Sequence, residues 1–237
     1  MVRYVNDKTG RFTQRPHYEP TELDRECERI IVRFLESLYG KAQFPVSTED
    51  LKKLIERDAE DLDCYADLSR YGPDVEGLTE FQCGQKPLVQ ISSELTENDR
   101  RENRLRTTLT HEYGHVYFHA YLFETMHSQN QLFQTNRSER VVCKRDSIVS
   151  APETNWMEWQ AGYVCGALLM PISYVKKITT DFLTESNHYG PIASASSNGI
   201  ELITRVVDAF KVSEDAARVR LLKLGHLGNE RGKSLFS

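Results

Sequence analysis

The chain has no run approaching the roughly 18–20 consecutive apolar residues that a bilayer-spanning helix requires, so no membrane is expected among its partners. Its opening stretch, MVRYVNDKTGRFTQRPHYEP, has no apolar core, and a secretory leader is not expected at this end. Cysteine is sparse and scattered. Cys27, Cys64, Cys83, Cys143 and Cys165 are odd in number and never form a CxxC pair. That excludes a disulfide framework and a cysteine-rich zinc site, and fits reduced thiols in a cytoplasmic protein. Positive charge is not in excess either: Lys and Arg total 30 against 35 Asp and Glu, a net charge of −5. No overall basic field draws the chain to nucleic acid.

What remains is an ordinary globular composition, 39% hydrophobic and 27% charged, over 237 residues. That length suits one substantial domain with a smaller appendage. Residues 1–20 are polar and turn-rich and read as a flexible arm. The segment TELDRECERIIVRFLESLYG reads as a helix, with Thr21 as its cap and Gly40 as its stop. STEDLKKLIERD reads as a second helix capped by Ser47, with Asp50 three residues on. DVEGLTEF and KPLVQIS then read as adjacent strands turning near Gly84, so a small antiparallel sheet precedes the next helix. The fold class is α+β.

That next helix starts near residues 97–99 and carries THEYGHVYFH. At 3.6 residues per turn, His111 and His115 differ by about 40° around the axis and face the same way. Two neutral imidazoles so placed suit Zn²⁺, or Mn²⁺ in its place. Glu112, between them in sequence, is placed to take a proton from water that the ion has made more acidic. A catalytic site needs a third protein ligand. The longer pattern HExxHxxGxxH does not supply it, because Phe118 and Tyr121 stand where its glycine and histidine would be. His119 lies about 80° from His111 and reads as a supporting or packing histidine. Glu158 is the better third ligand: it is a carboxylate in the apolar segment NWMEWQAGYVCGALLMP, where a cation would offset its burial. The alternative is that it merely caps that helix. Ala161 and Gly162 would let the two helices approach closely. Glu124, Glu139, Asp146 and Glu153 read as solvated acids in an irregular insertion loop, residues 124–154.

Three segments, VEGLTEF…KPLVQIS, RTTLTHEYGHVYFH and EWQAGYVCGALLMP, resemble the ImmA/IrrE family of bacterial metallopeptidases over roughly residues 75–175. The resemblance implies a zincin-like, gluzincin-type zinc endopeptidase at residues 21–185. It implies His111, His115 and Glu158 as ligands and Glu112 as base. It also implies a substrate class, a DNA-binding helix-turn-helix repressor whose cleavage releases genes of a mobile element or a stress response. Two departures stand out. Gly162 replaces the Asn or Asp common four residues after the ligand glutamate, and the stretch between the two helices is long.

Three further readings complete the expectation. PLVQIS would accept an extended peptide by strand addition. Tyr163, His188 and Tyr189 are candidates to stabilise an oxyanion, and Cys143 could cap an open metal position. At residues 198–226, LITRVVDAFKVSEDAARVRLLKLG reads as a helix-turn-helix-like pair bearing Arg218, Arg220 and Lys223. From residue 196 onward basic residues outnumber acidic ones by only two, so a hairpin that closes the core is favoured over direct DNA binding. The competing function is a non-catalytic, metal-binding regulator of a protein partner or DNA.

Overall fold

A computed structural model describes residues 2–82, 84–129, 139–144 and 155–228. The chain divides into two compact units, Met1–Leu23 with Ser47–Cys165, and Asp24–Val46 with Gly166–Ser237. Helix α1, Pro20–Tyr39, begins on a proline whose missing N–H is harmless at the first helical position. Thr21 therefore lies inside the first turn instead of capping it. Gly40, at φ +71°, ends the helix as expected.

In the first unit, α2 (Thr48–Asp58) is capped reciprocally. The Asp50 N–H donates to Ser47 Oγ at 3.0 Å, and that hydroxyl donates to Asp50 Oδ2 at 2.7 Å. A four-stranded sheet follows, made of β3 (Asp61–Ala66), β4 (Val75–Phe81), β5 (Leu88–Ser92) and β6 (Glu139–Lys144) in the order β3-β5-β4-β6. Strand β4 is antiparallel to both its neighbours, but β3 runs parallel to β5. The sheet is therefore mixed, not the antiparallel sheet expected. Strand β5 is flanked on both sides, so PLVQIS has no open edge for a peptide; among the described residues the outer strands are β3 and β6.

A short α3 (Ser93–Thr96) leads to the long α4 (Glu102–Gln129), which packs on β4. Buried Glu76 of β4 forms ion pairs with Arg101, just before α4, and Arg104 in its first turn, pinning strand to helix. Helix α5 spans Trp156–Leu169. Two stretches differ from the sequence reading. The polar arm contains a hairpin, β1 (Arg3–Asn6) with β2 (Gln14–His17), whose loop residue Phe12 packs against Phe123 and Trp156. The expected loop 124–154 holds the last turns of α4 and strand β6; residues 130–138 and 145–154 lie outside those described.

The second unit contains α6 (Ile172–Glu185), α7 (Ser197–Phe210) and α8 (Glu214–Lys223), with two-residue strands β7 (Ile192–Ala193) and β8 (Leu227–Gly228) pairing in parallel. Ser196 and Ser213 cap α7 and α8, and the turn between those helices passes through a left-handed Lys211 at φ +51°. Arg220 points inward. Its guanidinium lies 2.6 Å from Asp24 and its Nε–H donates to the Met170 carbonyl at 3.1 Å. Arg218 pairs with Glu214 on its own helix at 2.5 Å.

Candidate metal centre

Helices α4 and α5 meet at two small residues. A Cβ added at Gly114, inside the THEYGHVYFH segment, would lie 3.1 Å from Ala161 Cα and 3.4 Å from Val164 Cβ. The absence of a side chain there lets the helices close on each other and brings the first turn of α5 against the two histidines. His111 Nε2 stands 3.1 Å from Glu158 Oε2, His115 Nε2 stands 3.3 Å from Glu158 Oε1, and the two Nε2 atoms are 3.2 Å apart. Glu158 is the third residue of α5, yet its carboxylate is directed at the histidines, which answers the capping alternative.

His111 and His115 are fully buried and Glu158 is 5% exposed. Burial opposes the charge of the Glu158 carboxylate, but His115 and His111 beside it hold its pKa below the ordinary value. Two imidazole nitrogens and a carboxylate oxygen converging within 4.8 Å form a group that can hold a metal ion. Two ring nitrogens 3.2 Å apart need a proton or a cation between them, and this N, N, O set is one that divalent zinc accepts.

Glu112 lies on the sheet side. The Thr79 hydroxyl donates to Glu112 Oε2 at 2.5 Å. Residue 77, two before Thr79 on the same face of β4, is glycine, and a Cβ there would come within 2.9 Å of both Glu112 Cδ and Thr108 Cγ2. Glycine is thus what the strand needs to lie against the carboxylate. The sequence reading missed both residues, although a lone glycine inside VEGLTEF was a usable sign of close backbone approach.

His119 is not part of the ligand group. Its Nδ1 is 3.0 Å from His115 Nδ1 and its Nε2 is 3.0 Å from Gln160 Oε1. Burial, with His115 alongside, pushes its pKa down to about 3, so the ring is neutral. Gln160 was not singled out from the sequence, and nothing in its spacing marks it. Of the other candidates, Glu124 is exposed, while Asp146, Glu153 and the side chain of Glu139 lie outside the described residues. Cys143 has its backbone in register with Gly77, and its side chain also lies outside them. Tyr163 is buried on α5 with its ring 5.8 Å from that of Trp159; His188 and Tyr189 belong to the second unit, where Tyr189 is 88% exposed. Cys27, Cys64 and Cys165 are buried and in no disulfide, and no described helix is long and apolar enough to cross a membrane.

Compared with models of known protein families the chain matches none, and no curated protein is similar to it.

Proposed function

We propose that the chain is a zinc-dependent endopeptidase with His111, His115 and Glu158 as ligands and Glu112 as the proton carrier. One observation carries this reading. The carboxylate of Glu112, the residue directly after His111, is buried, is not itself in the ligand group, accepts a hydrogen bond from Thr79 and lies in the space that Gly77 leaves open. A purely structural metal site has no use for such a base. A divalent ion in the site supplies Lewis acidity, lowering the pKa of water towards about 7 and polarising a carbonyl. Glu112 takes the proton from the attacking water and passes it to the leaving amine, while the Thr79 hydroxyl fixes the orientation of its carboxylate. We assign the extended peptide to β6, the outer neighbour of the strand that carries Gly77 and Thr79.

The resemblance to the ImmA/IrrE metallopeptidases supplies the substrate class, a helix-turn-helix repressor, and with it a cytoplasmic setting. Direct DNA binding through α7 and α8 is disfavoured, because Arg220 is engaged with Asp24 and Arg218 with Glu214. A second reading, a non-catalytic metal-binding regulator, is favoured by the complete burial of His111, Glu112 and His115, since structural metal sites are closed and catalytic ones keep an open position.

Glu112→Gln separates the two. Incubated with zinc and a candidate repressor, the natural chain cuts at one position and a chelator stops it. The Gln variant retains zinc and does not cut. Undiminished cleavage by Glu112→Gln refutes the mechanism, and zinc uptake without cleavage by the natural chain moves the assignment to the regulator.

A further inference from the structure

Behind His115, on the side away from Glu158, three buried polar side chains stand in a row: His115, His119 and Gln160. The row ends on the main-chain carbonyl of Pro16 in β2, 3.3 Å from Gln160 Nε2. We infer that this row fixes the tautomer of His115, making Gln160 and His119 positioning residues for the metal-binding nitrogen; the inference rests on the metal reading above.

The polarity of the row follows from its fixed end. A carbonyl oxygen only accepts, so the amide nitrogen of Gln160 faces Pro16 and its Oε1 faces His119. Oε1 also only accepts, so His119 carries a proton on Nε2, 3.0 Å away; the ring is fully buried with an imidazole and an amide as its hydrogen-bond neighbours, a setting that opposes a second, charging proton. A neutral imidazole has a single N–H, which leaves Nδ1 of His119 as an acceptor. Its neighbour at 3.0 Å, Nδ1 of His115, must then be the donor. With its proton on Nδ1, His115 has a bare Nε2, and that is the nitrogen 3.3 Å from Glu158 and 3.2 Å from His111. Each link admits one direction. A backbone oxygen of the N-terminal hairpin thereby decides which nitrogen of a ligand on α4 presents its lone pair.

The arrangement is one-sided. Nδ1 of His111 is buried with no hydrogen-bond partner among the described residues. His115 is the imidazole whose orientation is built in, and neighbours of this kind typically change metal affinity by about 10–100-fold. The row also gives His119 a role that its 80° offset from His111 left open, and it brings a supporting amide from Gln160, where Gly162 has none to offer.

The test has two arms. Long-range proton–nitrogen correlation on the ¹⁵N-labelled full chain, recorded without metal and with zinc, is expected to show His119 protonated on Nε2 and His115 on Nδ1. Observing His119 protonated on Nδ1 overturns the inference. In the second arm, zinc affinity is measured by chelator competition. Gln160→Leu is expected to bind about 10–100-fold more weakly than the natural chain. Gln160→Glu, which keeps an acceptor facing His119, is expected to recover most of that loss. Equal affinity in Gln160→Leu, or equal weakness in both variants, overturns the inference. If Gln160→Leu does not fold, the tautomers of the natural chain decide alone. A natural chain that takes up no zinc removes the metal reading, while the metal-free spectra still decide the direction of the row.

Discussion

The most sensitive single position near the proposed base is Gly77. Its missing side chain leaves room for the Glu112 carboxylate, and a Cβ there would come within 2.9 Å of Glu112 Cδ. The carboxylate is the movable end of a side chain, so Gly77→Ala should displace it and leave the strand in place. Misplacing a catalytic group by about an ångström can cost roughly 100-fold. We therefore expect at least a tenfold loss of cleavage rate with unchanged zinc affinity; loss of zinc instead would show that the strand itself had moved. A second residue sets an acid limit. Asp7 accepts hydrogen bonds from Thr9 N at 3.0 Å, Thr9 Oγ1 at 2.7 Å, Phe12 N at 3.0 Å and Trp156 Nε1 at 3.2 Å. Burial pushes its pKa up, but these four donors outweigh it and hold the carboxyl below 3.8. The unfolded chain then takes up this proton before the folded one does, so its contribution is complete above about pH 4 and is lost as pH falls through the lowered value. Melting temperatures between pH 2.5 and 6 should fall more steeply below pH 4 for the natural chain than for Asp7→Asn.

Among the elements, the crossing of α4 and α5 assembles the ligand group, and it depends on Gly114 lying against Ala161. Gly114→Val would gain little from helix propensity and would push the helices apart. Overpacking of this kind costs about 1–3 kcal/mol, and the displacement acts on the Glu158–histidine spacing. We expect weaker zinc binding in Gly114→Val, with Gly114→Ala intermediate, measured by chelator competition. The sequence made this crossing legible. HExxH spacing on a helix and a carboxylate in an apolar helix are local signals, and they pointed to three side chains that converge in the structure. The elements that were not legible depend on distant partners. Strand β3, DLDCYA, is an edge strand whose exposed Tyr65 and aspartates break the apolar alternation. Strand β6 is six residues in a polar stretch and pairs with a strand some sixty residues earlier. The β1–β2 hairpin has no Asn-Gly turn; its loop is held by Asp7, and its packing by Phe12 against residues more than a hundred positions away. For the same reason Gln160 could not be found in advance, because its meaning comes from Pro16.

At the scale of the whole molecule, the site draws on four stretches far apart in sequence: β2 through Pro16, β4 through Gly77 and Thr79, α4 and α5. A ligand that binds only where these are assembled stabilises the folded chain by mass action, since the unfolded chain has no such site. The two tryptophans, Trp156 and Trp159, both lie in the first turn of α5 beside Glu158, so their fluorescence reports on this assembly. At zinc a hundredfold above its dissociation constant the gain is about 2.7 kcal/mol, which for a chain of this size raises the melting temperature by roughly 5–11 °C. The fluorescence-detected transition should therefore move up on adding zinc and return on adding chelator. Glu158→Ala should melt at the same temperature with and without zinc. Glu112→Gln should respond as the natural chain does, because it keeps all three proposed ligands. A zinc shift that survived in Glu158→Ala would mean that the ion binds elsewhere, and that outcome would remove the basis for Glu112 as a base.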